Sequence, residues 1–146
     1  MKKLIVLLFF PALLSAQMEA SEIEGEGWLK NYDAALAEAQ KEQKNVLVYF
    51  TGSDWCPPCK MLKTDLFDTD EFKTVSAAYS LLYIDIPRNR DLLTQEQMSH
   101  NLDVLAKHNK KGMFPLLVIL NAEGSELDKN SGYSMDGRIQ EYLGML

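Results

Sequence analysis

Cysteine is scarce in this chain: Cys56 and Cys59 are the only two in 146 residues. A pair three positions apart closes almost no loop, so it removes little entropy from the unfolded chain and makes a poor structural staple. Redox or metal chemistry remains for it. Histidine is equally scarce, with His100 and His108 alone. Basic residues number 15 against 21 acidic ones, a net charge of −6. That balance leaves no basic footprint for nucleic acid or an anionic membrane surface. Long apolar runs are also missing: the longest covers residues 4–14, 11 positions, too few to cross a hydrocarbon core of about 30 Å as a helix.

That run has a different reading. Met1-Lys2-Lys3 forms a charged start, the apolar stretch follows, and Ser15-Ala16-Gln17 supplies small residues, the three-part pattern of a secretory signal peptide. We expect residues 1–16 to be removed, residues 17–27 to form a flexible acidic leader, and residues 28–146 to form one domain. Cleavage leaves 13 basic against 21 acidic residues, a net charge of −8. The mature chain is expected to be exported, periplasmic or in an equivalent compartment, without stable membrane insertion and monomeric.

Periodicity sets the elements. Tyr32, Ala35, Leu36 and Ala39 recur at helical spacing, predicting a helix over 33–43. Residues 46–50 (Val-Leu-Val-Tyr-Phe) read as a buried strand with a loop at its end. Pro57 and Pro58 suit a first helical turn, which puts Cys56 at a helix N-terminus with Leu62 and Leu66 on one face. A further helix is expected to open near Asp68, with Glu71 in a capping box. Residues 81–86 predict a second strand, 87–97 an irregular polar stretch, and Leu102, Leu105 and Ala106 a helix ending near His108. Residues 116–120 predict a third strand, 126–130 its antiparallel partner, and Ile139, Tyr142, Leu143 and Leu146 a final helix. Strands alternating with helices and ending in a hairpin imply an α/β domain with a mixed sheet of about four strands, flanked by helices on both faces.

The Cys pair carries the chemistry. Disulfide exchange needs a thiolate, and an ordinary thiol with a pKa near about 8.5 is mostly protonated at neutral pH. The positive end of a helix favours the thiolate, so Cys56 is the expected nucleophile and Cys59, almost one turn on, the buried resolving partner. Pro57 and Pro58 have no backbone N–H to offer the Cys56 sulfur. That implies a less depressed pKa and a less oxidising centre than a motif carrying a cationic His.

Trp55-Cys56-Pro57-Pro58-Cys59-Lys60 after the strand at 46–50, with Phe114-Pro115 some way downstream, resembles the thioredoxin superfamily, in particular its exported bacterial members. The resemblance covers residues 28–146 and implies a thioredoxin-like fold. It implies thiol-disulfide exchange with exported protein thiol or disulfide substrates, in the reductive direction, with Cys56 and Cys59 as catalytic residues forming a redox-active disulfide. It also implies a cis Pro115 beside the pair, with Trp55, Phe114 and Pro115 binding substrate, a membrane-embedded electron donor or acceptor as partner, and no bound cofactor. Thioredoxin has a buried Asp in its first central strand where this chain has Tyr49, so the usual assistant for deprotonating the resolving Cys is missing. One extra residue between Phe50 and Trp55, and a longer 87–97 segment, alter the rim.

Rival readings remain. A Cys2His2 metal site from Cys56, Cys59, His100 and His108 is disfavoured by the histidine spacing, and surface exposure is the plainer expectation for both rings. Haem attachment needs a His where Lys60 stands. Trp55 reads as rim, Lys60 as a solvated helix residue, Asp54 as a loop or cap residue. The same fold could also serve as a dithiol oxidase or isomerase, or as a non-enzymatic docking module.

Overall fold

Three apolar runs, residues 46–50, 81–84 and 116–120, cannot be left in water, and in the computed structural model, which describes residues 27–146, they form the centre of one sheet. Its five strands are β1 (Trp28–Leu29), β2 (Asn45–Thr51), β3 (Tyr79–Asp85), β4 (Leu116–Leu120) and β5 (Glu126–Ser131). They lie in the order β1-β3-β2-β4-β5. β1 and β2 run parallel to β3, while β4 is antiparallel to both β2 and β5. The fold is thioredoxin-like and mixed, as expected. The strand beyond the expected four is β1, whose two residues are too few to show alternation.

Side-chain alternation divides the core in two. Leu47, Tyr49, Leu81, Tyr83, Leu117 and Ile119 face one layer, with Cys56 and Cys59. There α2 (Pro57–Leu62), α3 (Asp70–Ser76) and α5 (Gln140–Met145) cover them through Leu62, Phe72 and Tyr142. Val46, Val48, Phe50, Leu82, Ile84 and Val118 face the other, covered by α1 (Tyr32–Glu42) and α4 (Gln95–His108). The redox pair is thus built into a packed layer.

Between α2 and α3 the chain makes a π turn over Lys63–Phe67, marked by the Asp68 amide donating to the Lys63 carbonyl at 3.0 Å. The widened turn lets Leu62, Leu66 and Phe67 all be buried. The capping box expected at Asp68 is not formed. Thr69 caps α3 instead, its hydroxyl accepting the Phe72 amide at 3.2 Å, while Glu71 lies in the first turn.

α4 departs furthest from expectation. It begins at Gln95, inside the stretch expected to be irregular, with Thr94 as its cap, and a 3-10 turn at Arg90–Leu92 precedes it. Its inward stripe is Asn101, Val104 and His108, whereas Leu102 is exposed. The apolar pattern misplaced this face because polar side chains fill it with satisfied hydrogen bonds. Asn101 donates to the Asp85 carbonyl at 2.8 Å.

Neither histidine is fully exposed: His100 is half-buried and His108 is buried. His100 Nε2 accepts the Tyr32 amide at 3.0 Å, and the buried His108 ring lies 3.0 Å from the Tyr32 hydroxyl and 3.4 Å from Glu126 Oε1. Burial holds the His108 ring below the usual imidazole range, against the opposing pull of Glu126. The unfolded chain therefore takes up this proton first, so stability is full above about pH 6.5 and is lost as pH falls. We expect the urea midpoint to drop as pH falls below about 6.5, and His108→Gln to remove that part of the drop. An identical pH profile in the variant would contradict it.

Candidate active site

β2 ends at Thr51, and the chain must turn sharply to start α2. Gly52 makes the turn: its carbonyl accepts the amides of Trp55 at 3.2 Å and Cys56 at 2.9 Å. Cys56 then occupies the N-cap of α2, with Pro57 and Pro58 following, and no side chain caps the helix. Because neither proline has an N–H, the first amide available is that of Cys59, and it already donates to the Cys56 carbonyl at 3.1 Å. The sulfur of Cys56 thus meets few backbone donors.

Cys56 and Cys59 are joined as a disulfide across a Cα–Cα distance of 5.3 Å. Their burial does not separate nucleophile from resolving partner, since Cys56 is 2% and Cys59 1% exposed. What separates them is position, at the cap and inside the first turn. The histidines bond to Tyr32 and its neighbours, and the Cys2His2 set is not assembled. No cluster of three or more His, Cys, Asp or Glu suited to a metal occurs among the described residues.

Under the pair lies Tyr49. Its hydroxyl donates to the Cys59 carbonyl at 3.1 Å, and burial pushes its acidity far below that of an ordinary phenol. Tyr49 is therefore a neutral donor at physiological pH, not a base for the resolving thiol. It fixes the Cys59 backbone while packing edge-on against Phe67 at 4.6 Å between ring centroids.

The loop before Cys56 is tied to the end of β3 at several points. Asp85, a buried carboxylate, accepts the Ser53 amide at 2.9 Å and its hydroxyl at 2.6 Å. Asp54 accepts the amides of Asn89 at 2.8 Å and Arg88 at 2.9 Å, bonds that hold its carboxyl below the usual range. Trp55 donates from Nε1 to the Ile86 carbonyl at 2.8 Å. These bonds convert the extra loop residue and the longer segment after β3 into one docked unit.

Trp55 is half-buried, with Phe114 edge-on at 5.2 Å between centroids and the Arg88 guanidinium 4.6 Å from its ring centre. The Phe114–Pro115 peptide bond is cis, as expected, and opens directly into β4. So Trp55, Phe114, Pro115 and the Cys pair stand at one end of the sheet. Lys60 is exposed on α2. Gly52, Ser53 and Asp85 support the pair through contacts that no local sequence pattern marks. The one sequence signal was Asp85 itself, a carboxylate closing an apolar run.

The packing makes Gly52 replaceable by nothing larger, because a Cβ there would fall inside the Trp55 indole. We expect Gly52→Ala to displace Trp55, to cost about 1–3 kcal/mol of stability and to raise the alkylation rate of reduced Cys56. Unchanged alkylation with unchanged stability would show that the indole does not cover the thiol.

Comparison with known proteins agrees with this geometry. A family model described as thioredoxin-like matches residues 27–122. The chain is 30% identical over 99 residues to the disulfide bond reductase DsbH of Chlamydia pneumoniae, covering 67% of this chain and 58% of that protein. It is 26% identical over 125 residues to the thioredoxin-related protein DsbJ of Chlamydia pneumoniae, covering 85% of this chain and 35% of that one. The match therefore spans less than two thirds of either relative's length. A solved DsbH oxidoreductase superposes with a TM-score of 0.64 at 26% identity, over 82% of this chain and 85% of that one. With the motif, the cis proline and the five-stranded sheet in agreement, the chain belongs to the thioredoxin-like family.

Proposed function

We propose that this chain is an exported thiol-disulfide oxidoreductase working chiefly in the reductive direction. The observation that carries the reading is the Cys56–Cys59 disulfide at the start of α2, placed at the same sheet end as the cis Phe114–Pro115 bond. In the reduced form, the Cys56 thiolate attacks a substrate disulfide; one S–S bond breaks, the leaving thiolate takes a proton, and a mixed disulfide forms. Cys59 then loses its proton and attacks the Cys56 sulfur, which releases the second substrate thiol and restores the intramolecular disulfide. Two electrons pass from protein to substrate.

Direction is supported by the prolines, which leave the Cys56 thiolate short of backbone donors and so favour a more reducing pair. The name of the Chlamydia pneumoniae relative, a disulfide bond reductase, points the same way. In an exported compartment such an enzyme needs its own dithiol restored, which calls for an electron donor at the membrane. The signal peptide proposed for residues 1–16 lies outside the described residues. Among those described, no helix is long and apolar enough to cross a membrane.

Trp55, Phe114 and Pro115 would form the strip that receives substrate. A Pro at the head of β4 leaves the preceding backbone free of the ladder, so Phe114 can pair with an extended substrate segment. Cys59→Ser should trap a mixed disulfide at Cys56 when the reduced protein meets a peptide disulfide, visible as a mass increase reversed by dithiothreitol. Cys56→Ser should trap none. Trapping in neither variant, or only in Cys56→Ser, would contradict the assigned roles.

A further inference from the structure

Away from the Cys pair, positive charge gathers at one place. A cavity of about 540 Å³ opens between the end of α4, the turn that follows it and β5. Lys107, Lys110, Lys111 and Lys129 line it with His108 and Glu126. Four lysines meet against one glutamate in a chain whose net charge is −6.

The backbone sorts the charges. A bulge in β5 pairs Leu120 with Glu126 and Ile119 with Asp128. Glu126, Lys129 and Ser131 therefore share the cavity's face of the sheet, while Asp128 turns to the other face. Asn109, buried at the end of α4, clamps the next turn by donating to the Met113 carbonyl at 2.8 Å and accepting its amide at 2.9 Å. The turn closes through the Gly112 amide on the Asn109 carbonyl at 2.9 Å, at a φ of 62° that suits glycine. Lys110 and Lys111 are thus exposed at a fixed tip.

The acidic group in the cavity is already matched. Glu126 receives Lys129 at 3.0 Å and faces the His108 ring at 3.4 Å. Lys107 lies over the Tyr32 ring, 4.6 Å from its centre. Lys110 and Lys111 have no ion pair among the described residues. Met113, also on the cavity wall, immediately precedes Phe114, whose ring meets Trp55 beside Cys56. Arg88 over Trp55 adds a cation at the same end of the sheet.

We propose that this lysine-lined cavity receives an acidic segment of the protein whose disulfide engages Cys56. The inference rests on the oxidoreductase reading and narrows its substrate class to disulfides flanked by aspartate and glutamate. Met113 and Leu116, on either side of the Phe114–Pro115 bond, both line the cavity, so a segment that pairs with Phe114 lies at its edge. The ammonium groups there attract carboxylates, and the partners' encounter rate rises accordingly.

Two synthetic peptides with the same disulfide test this, one ending in alternating Asp and Glu, the other in Asn and Gln. Their single-turnover reduction by the reduced protein is compared. At about 0.01 M ionic strength the acidic peptide should react about tenfold faster, and the ratio should fall towards one in about 1 M salt. It should also fall towards one in the double variant Lys110→Gln, Lys111→Gln, and partly in Lys129→Gln. A ratio near one in the unaltered protein, or a tenfold ratio kept in the double variant, would overturn the inference. Reaction with neither peptide would overturn the oxidoreductase reading beneath it, and the inference with it.

Discussion

Everything at the candidate site depends on the short junction between β2 and α2, where a buried strand must become a helix within a few residues and deliver a sulfur to its first position. The carboxylate of Asp85 makes this possible. It holds Ser53 by amide and hydroxyl, and its own carbonyl is held by Asn101 from α4. A buried carboxylate is tolerable only when its acceptor sites are filled. Here the bonds that satisfy it also fix the loop. Gly52 then sets both the turn and the space for Trp55, so the position of the Cys56 sulfur follows from the ends of β2 and β3 and from α4 rather than from the motif alone.

The same layer replaces a titrating group with a packed one. Tyr49 holds the Cys59 backbone by a hydrogen bond and joins Phe67, Trp28 and Tyr83 in an aromatic cluster. Its phenol keeps its proton through the physiological range. In the exchange proposed above, Tyr49 is therefore not the group that takes the proton Cys59 loses. This separates the chain from thioredoxin, whose strand supplies a carboxylate at that position.

Much of the fold was legible in the sequence because its strands are continuous apolar runs: residues 46–50 and 116–120 lie within β2 and β4 with bounds differing by at most a residue. The Cys pair and its place at a helix start were readable from the prolines beside it. α4 was only half readable. Its buried face carries Asn101 and His108, and polar residues satisfied by distant partners leave no periodic signal. β1 was too short to show any pattern, and the π turn has no composition of its own. The tie from Asp54 to the backbone at Arg88 and Asn89 joins residues 34 and 35 positions apart, a relation no local pattern reveals.

The central claim, that Cys56 and Cys59 interconvert reversibly as a reductant's dithiol, is tested most directly by their equilibrium reduction potential. The measurement is a dithiothreitol or glutathione buffer series read by thiol-alkylation mass shift. The account predicts a single two-electron transition near that of thioredoxin, about −270 mV. A transition near about −120 mV would contradict the reductive direction, and the absence of any reversible transition would contradict the enzyme reading itself.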